Sequence, residues 1–117
     1  MNDQFISFET AILANKKGFR EDTEMVYGGN TGIICKLSKG NMVCGYTLAP
    51  TQSLLQKWLR EKHHIHIEIY ANSSGWGWIL TKLNGTTIKE ITNDIFFYAY
   101  EIALEIGLQV ALKLIKL

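Results

Sequence analysis

The chain is poor in residues that punctuate or staple a fold: 117 residues hold one proline and two cysteines, Cys35 and Cys44. Two cysteines without a C-x-x-C pair exclude a secreted disulfide scaffold and point to a reducing compartment. An excess of one charge is also lacking. Twelve Lys and Arg stand against eleven Asp and Glu, a net charge of +1, so no global field recruits nucleic acid or anionic lipid. No apolar run approaches the roughly 20 residues of a membrane span, and the opening MNDQFISFET carries an acidic residue and no basic n-region. These absences imply a cytoplasmic protein without a membrane segment. It reads as one domain over residues 1–117, able to bury a core without metal or disulfide. Repeats, low-complexity tracts and linkers are missing as well.

What is present is apolar periodicity. AYEIALEIGLQVALKLIKL, Ala99 to Leu117, predicts one helix of about 27 Å. At 100° per residue its apolar residues cover roughly 200°, about twice the usual stripe, so the helix is nearly engulfed. Ala103, Gly107 and Ala111 recur every four residues along the middle of that arc, a spine that a neighbouring backbone can approach closely. Glu101 and Glu105 near its start and Lys113 and Lys116 near its end suit the helix dipole, and the two carboxylates are read as solvated. Its start is open between Ile95 and Tyr100, giving a span of about 96–116.

Earlier in the chain, Ser7 caps a helix over 8–17, Gly18 ends it, and Phe19 turns back onto the last turn near Ala14. Met25 to Tyr27 is a short strand. The GGNTG that follows lacks the Gly-Lys-Ser/Thr and the helix of a phosphate-binding loop, because Ile33, Ile34 and Cys35 continue as strand. Ile33 to Leu37 and Met42 to Tyr46 predict a hairpin that sets Cys35 opposite Cys44. Facing thiols form a disulfide, share a metal or pack as small apolar groups, and a reduced, packed pair fits a cytosolic chain. Pro50 and Thr51 open a helix over 51–62 with an apolar stripe of Leu54, Leu55, Trp58 and Leu59. HHIHIEIY then alternates strictly, followed by Trp76 to Leu83 and, after Asn84-Gly85, Thr86 to Ile91. The fold class is α+β: a single two-layer domain whose antiparallel sheet is a three-stranded meander plus an N-terminal hairpin. About three helices pack mainly on one face.

Few residues carry chemistry. His64, His66 and Glu68 share a strand face at about 6.6 Å spacing, which offers two imidazoles to one zinc. A third ligand has to come from elsewhere, so the row reads as a wet strand face and no structural zinc or other cofactor is expected. Tyr70, Trp76 and Trp78, with His66, Lys82 and Lys89 near, read either as core or as an exposed patch for a partner protein or for stacked bases. Ser73 and Ser74 lie in a turn without a nucleophile-elbow context.

APTQSLLQKWLREKHHIHIEI, the aromatic-glycine hairpin after it, the closing YEIALEIGLQVALKLI and the opening ETAILANKKGF together resemble a group of short uncharacterised proteins encoded by phages and prophages of gut Bacteroides. The likeness spans most of the chain. It departs around Glu24 to Thr47, and at Ile102, Ile106 and Val110, where more polar residues belong. The resemblance implies a small cytoplasmic α+β accessory protein of the infected or lysogenic host, and brings no activity and no functional residues.

On this reading the protein is not an enzyme but an interaction module for a host or phage protein. The alternatives are a small metal-dependent enzyme using His64, His66 and Glu68, and a single-strand nucleic-acid binder using Trp76 and Trp78. The wide apolar arc of the last helix also calls for extra cover. A second copy meeting it at Ile102, Ile106 and Val110 supplies one; Phe5, Ile6 and the first helix folding over that margin supply another.

Overall fold

The computed structural model describes residues 4–28, 32–36, 46–84, 87–92 and 95–116. They form helices α1 (Phe8–Lys16), α2 (Gln52–His63) and α3 (Tyr100–Lys113), with strands β1 (Met25–Gly28), β2 (Ile33–Lys36), β3 (Tyr46–Ala49), β4 (Ile65–Asn72), β5 (Gly75–Asn84) and β6 (Thr87–Thr92). Every strand pairing is antiparallel, so the class is α+β.

Local chemistry sets the helix ends. Ser7 caps α1 by accepting from Thr10 N–H at 3.2 Å. At the other end Gly18 takes φ +100°, its N–H reaches Asn15 O, and Phe19 N–H reaches Ala14 O at 3.1 Å. That Schellman ending swings the Phe19 ring into the core, edge-on to Trp58 at 5.3 Å. Thr51 caps α2 through Leu54 N–H, with Pro50 just before it. α3 is shorter than its apolar run. Ala99 is extended and serves as its N-cap, because Phe97 is drawn into a two-way backbone bridge with Trp76, and the helix closes at Lys113.

The strands divide into two three-stranded sheets, β2-β1-β3 and β4-β5-β6, rather than one. In the first, β2 and β3 flank β1 on opposite sides, so Ile33–Lys36 pairs with Met25–Gly28 and not with the strand beginning at Tyr46. Cys35 stands opposite Val26 and is exposed. Met42 and Cys44, and with them the expected thiol pair, lie outside the described residues, as do Asn93 and Asp94 before α3. The second sheet is the expected meander. Asn84 pairs with Thr87, which settles the last register.

Ile65 and Ile67 of β4 and Trp78 and Leu80 of β5 share one face, which α3 and α2 cover. α1 packs on α3 and β3 and so joins the two sheets. Gly107 lies where α3 crosses the sheet. A Cβ there would stand 3.3 Å from Ile67 Cγ2 and 3.3 Å from Trp78 Cγ, so this glycine admits side chains of the sheet, not the neighbouring backbone that the small-residue spine suggested.

Candidate functional site

The histidines divide between two environments. His63, in the last turn of α2, packs edge-on to Trp58 at 4.7 Å between ring centroids. Its pKa is lowered, first by burial and then by the neighbouring His64 and Lys82, all of which disfavour a further positive charge. His64 is the α2 C-cap, at φ 57°, and its N–H donates to Leu59 O. His66 and Glu68 sit exposed on the sheet face turned away from the helices, where His66 pairs with Thr81 and Glu68 with Ile79, whereas His64, also exposed, precedes β4 as the left-handed helix cap, so the expected row of three on one strand holds only two. Arg60, His64, His66, Thr81 and Leu83 line a shallow hollow that does not include Glu68. Among the described residues, no three His, Cys, Asp or Glu side chains gather into a set that could hold a metal ion.

Strand parity separates the three aromatics. Trp76 and Trp78 face the helices, opposite Ala71 and Ile69, while Tyr70 faces away, opposite Gly77. Trp78 is 6% exposed under Gly107 and belongs to the core. Tyr70 instead meets Phe96, ring centroids 6.0 Å apart, and a Cβ at Gly75 would stand 3.5 Å from Phe96 Cβ. Trp76 is half-buried and packs edge-on to Tyr100 at 5.4 Å. Lys82 stands opposite Ile65, and the side chain of Lys89 lies outside what is described.

Past Trp76 the surface is apolar and the pairing changes register. β5 advances three residues from Trp76 to Ile79, while its partner advances five from Thr92 to Phe97. The pairing therefore slips by two residues, and beyond it Ile95 is 70% and Tyr98 88% exposed, with Tyr100 at 41%. Sequence reading passed over Ile95 and Tyr98. Their signal was there: five of the six residues from Ile95 to Tyr100 are large and apolar or aromatic, more than one helix face or one strand face takes up.

Ile102, Ile106 and Val110 are half-buried, and Ile106 and Val110 pack against the core. The N-terminal segment runs along residues 50–52: Ile6 N–H donates to Pro50 O, Gln52 N–H to Gln4 O, and Phe5 bridges Thr51. Ile6 is fully buried there.

Glu105 does not sit on a solvated face. Its Oε2 accepts from Ser7 N–H and Ser7 Oγ, each at 3.0 Å, and from Thr10 Oγ1; its Oε1 accepts from Gln52 Nε2 at 3.0 Å. Thr10 is fully buried and Gln52 is 2% exposed. Gln52 Nε2 also reaches Glu101 O, and Gln109 Nε2 donates to Thr10 Oγ1. The carboxylate thus satisfies the start of α1 and ties it to α2 and α3. Nearby, Tyr27 OH donates to Ile6 O at 2.6 Å; burial, then the Glu105 charge, raises its pKa. Ser73 and Ser74 are exposed in the β4–β5 turn, where Ser74 N–H donates to Asn72 Oδ1.

No helix among the described residues is long and apolar enough to cross a membrane. The chain matches no protein-family model, no curated protein and no solved structure.

Proposed function

We propose that this chain is a small, non-enzymatic protein-interaction module of a phage or prophage, acting in the cytoplasm of its bacterial host. Its helices form one layer over the strands. The observation that carries this reading is the exposed surface of Ile95, Tyr98 and Tyr100 beside Trp76. Aromatic anchors of this kind contribute strongly at protein interfaces when a partner covers them. The polar groups support it from the other side: Glu105, Ser7 and Thr10 are engaged in holding the helices together. Trp78, covered by α3, presents no face for stacking bases.

The test is affinity capture from phage-infected host lysate with the natural chain and with an Ile95→Ser, Tyr98→Ser variant. A protein retained by the first and lost by the second is expected. Equal capture by both overturns the assignment of the surface.

A further inference from the structure

α1 and α3 run in the same direction. Three contacts along their lengths align them: Ser7 N–H donates to Glu105 Oε2, Gln109 Nε2 to Thr10 Oγ1, and Lys17 Nζ to Ile115 O at 2.7 Å. Between the two helices lies a shallow hollow lined by Glu9, Ile12, Leu13 and Lys16 of α1 and by Gln109 and Lys113 of α3. The four α1 residues have the i, i+3, i+4, i+7 spacing of one helix face, while Thr10, Ala11 and Ala14 form the face that α1 buries. Ile12 and Leu13 remain half-buried; Glu9, Lys16 and Lys113 are exposed, and among the described residues none of the three is ion-paired. Their signs are segregated. Glu9 stands at the N-terminal end of the hollow, and because the helices are parallel, Lys16 and Lys113 stand together at the other end. The midpoint between Glu9 and Lys16 in the chain falls between Ile12 and Leu13.

We propose that this face is the contact with a second copy of the chain, the two α1 helices lying antiparallel, each over the hollow of the other, about a two-fold axis that passes between Ile12 and Leu13. It goes beyond the interaction-module reading and uses residues other than Ile95 and Tyr98. Charge selects the occupant and its direction, because this face is complementary to itself when reversed. Glu9 of one copy then meets Lys16 and Lys113 of the other at both ends, with the aliphatic pair at the centre, and a two-fold axis lets the one face satisfy itself. A parallel packing brings Glu9 beside Glu9 and the lysines beside one another. A shift of one turn toward the N-terminus opposes Glu9 to Ile12 or Leu13, and one toward the C-terminus does the same to Lys16. The antiparallel order also lays the positive N-terminal end of each α1 near the negative C-terminal ends of α1 and α3 in the other copy.

Light scattering across micromolar concentrations is expected to give twice the chain mass. Glu9→Lys makes the charges of the face wholly basic, and Lys16→Glu with Lys113→Glu makes them wholly acidic; either change should weaken self-association at least about tenfold. All three sites are exposed, so both variants should melt like the natural chain, which separates lost association from lost folding. Their equimolar mixture is decisive. There the basic face of one variant meets the acidic face of the other at both ends, and the doubled mass should return. A single chain mass for the natural protein, a doubled mass that neither variant lowers, or a mixture that stays at the single chain mass overturns the proposal. None of these outcomes involves Ile95 or Tyr98, whose role the capture experiment decides separately.

Discussion

Ser7 and Glu105 lie 98 residues apart and meet through two hydrogen bonds of 3.0 Å, from the Ser7 N–H and the Ser7 hydroxyl to one carboxylate oxygen. The hydroxyl also caps α1 through Thr10 N–H. One side chain of the last helix therefore completes the start of the first.

Glu105→Ala should destabilise the fold by about 1–3 kcal/mol, because buried donors on Thr10 and Gln52 lose an acceptor. Glu105→Gln keeps an oxygen for Ser7 and Thr10 and should lose less. Urea midpoints for the two variants check this order.

Gly107→Leu should cost about 1–3 kcal/mol by overpacking against Ile67 and Trp78, although leucine is the better helix former. Gly107→Ala should gain little of the roughly 1 kcal/mol that alanine normally brings, since its Cβ meets the root of the Trp78 ring, not a flexible tip. Thermal melts in which either variant rises by the full propensity difference would contradict this packing.

Gly75 holds φ +130°, and a Cβ there would stand 2.5 Å from Phe97 O, the acceptor of Trp76 N–H. Gly75→Ala should therefore cost about 1–3 kcal/mol in backbone strain and loosen the Trp76–Phe97 bridge. Hydrogen exchange should show Trp76 N–H losing protection first, ahead of the β4–β5 amides.

Acid should weaken the protein through His63. Its folded pKa lies below the ordinary value of about 6.5, so the unfolded chain takes up the proton first as pH falls. The contribution is complete above that value and is lost between it and the lower folded pKa. His63→Phe keeps an aromatic contact with Trp58 and should flatten the difference in urea midpoint between pH 7.5 and pH 5 relative to the natural chain.

Local signals of the fold were readable from sequence. Ser7, Gly18 and Thr51 act on their own helices within a few residues, and the alternation from Ile65 to Tyr70 fixes the sheet face by parity alone. Long-range choices were not. Nothing near Ile33 says that β1 will be its neighbour rather than the strand that follows, because both offer short apolar runs. Glu105 looked solvated because its partners lie at Ser7, Thr10 and Gln52, far from it in sequence. The split between Tyr70 and Trp76 was readable: a two-residue turn at Ser73-Ser74 sets Ala71 against Trp76 and Tyr70 against Gly77. The apolar run from Ile95 looked like helix, yet the Phe97 bridge to Trp76 keeps its start out of α3.

The order in which a ribosome makes this chain matters because α3 follows both sheets. When β6 has emerged, the row formed by Ile65, Ile67, Trp78 and Leu80 has been made, and the helix that covers it in the folded chain has not. A product released before Tyr100 would lack the helix that buries this β-branched and aromatic surface, the kind of surface on which partly folded chains aggregate. The apolar row of this sheet is thus protected only once α3 has been made.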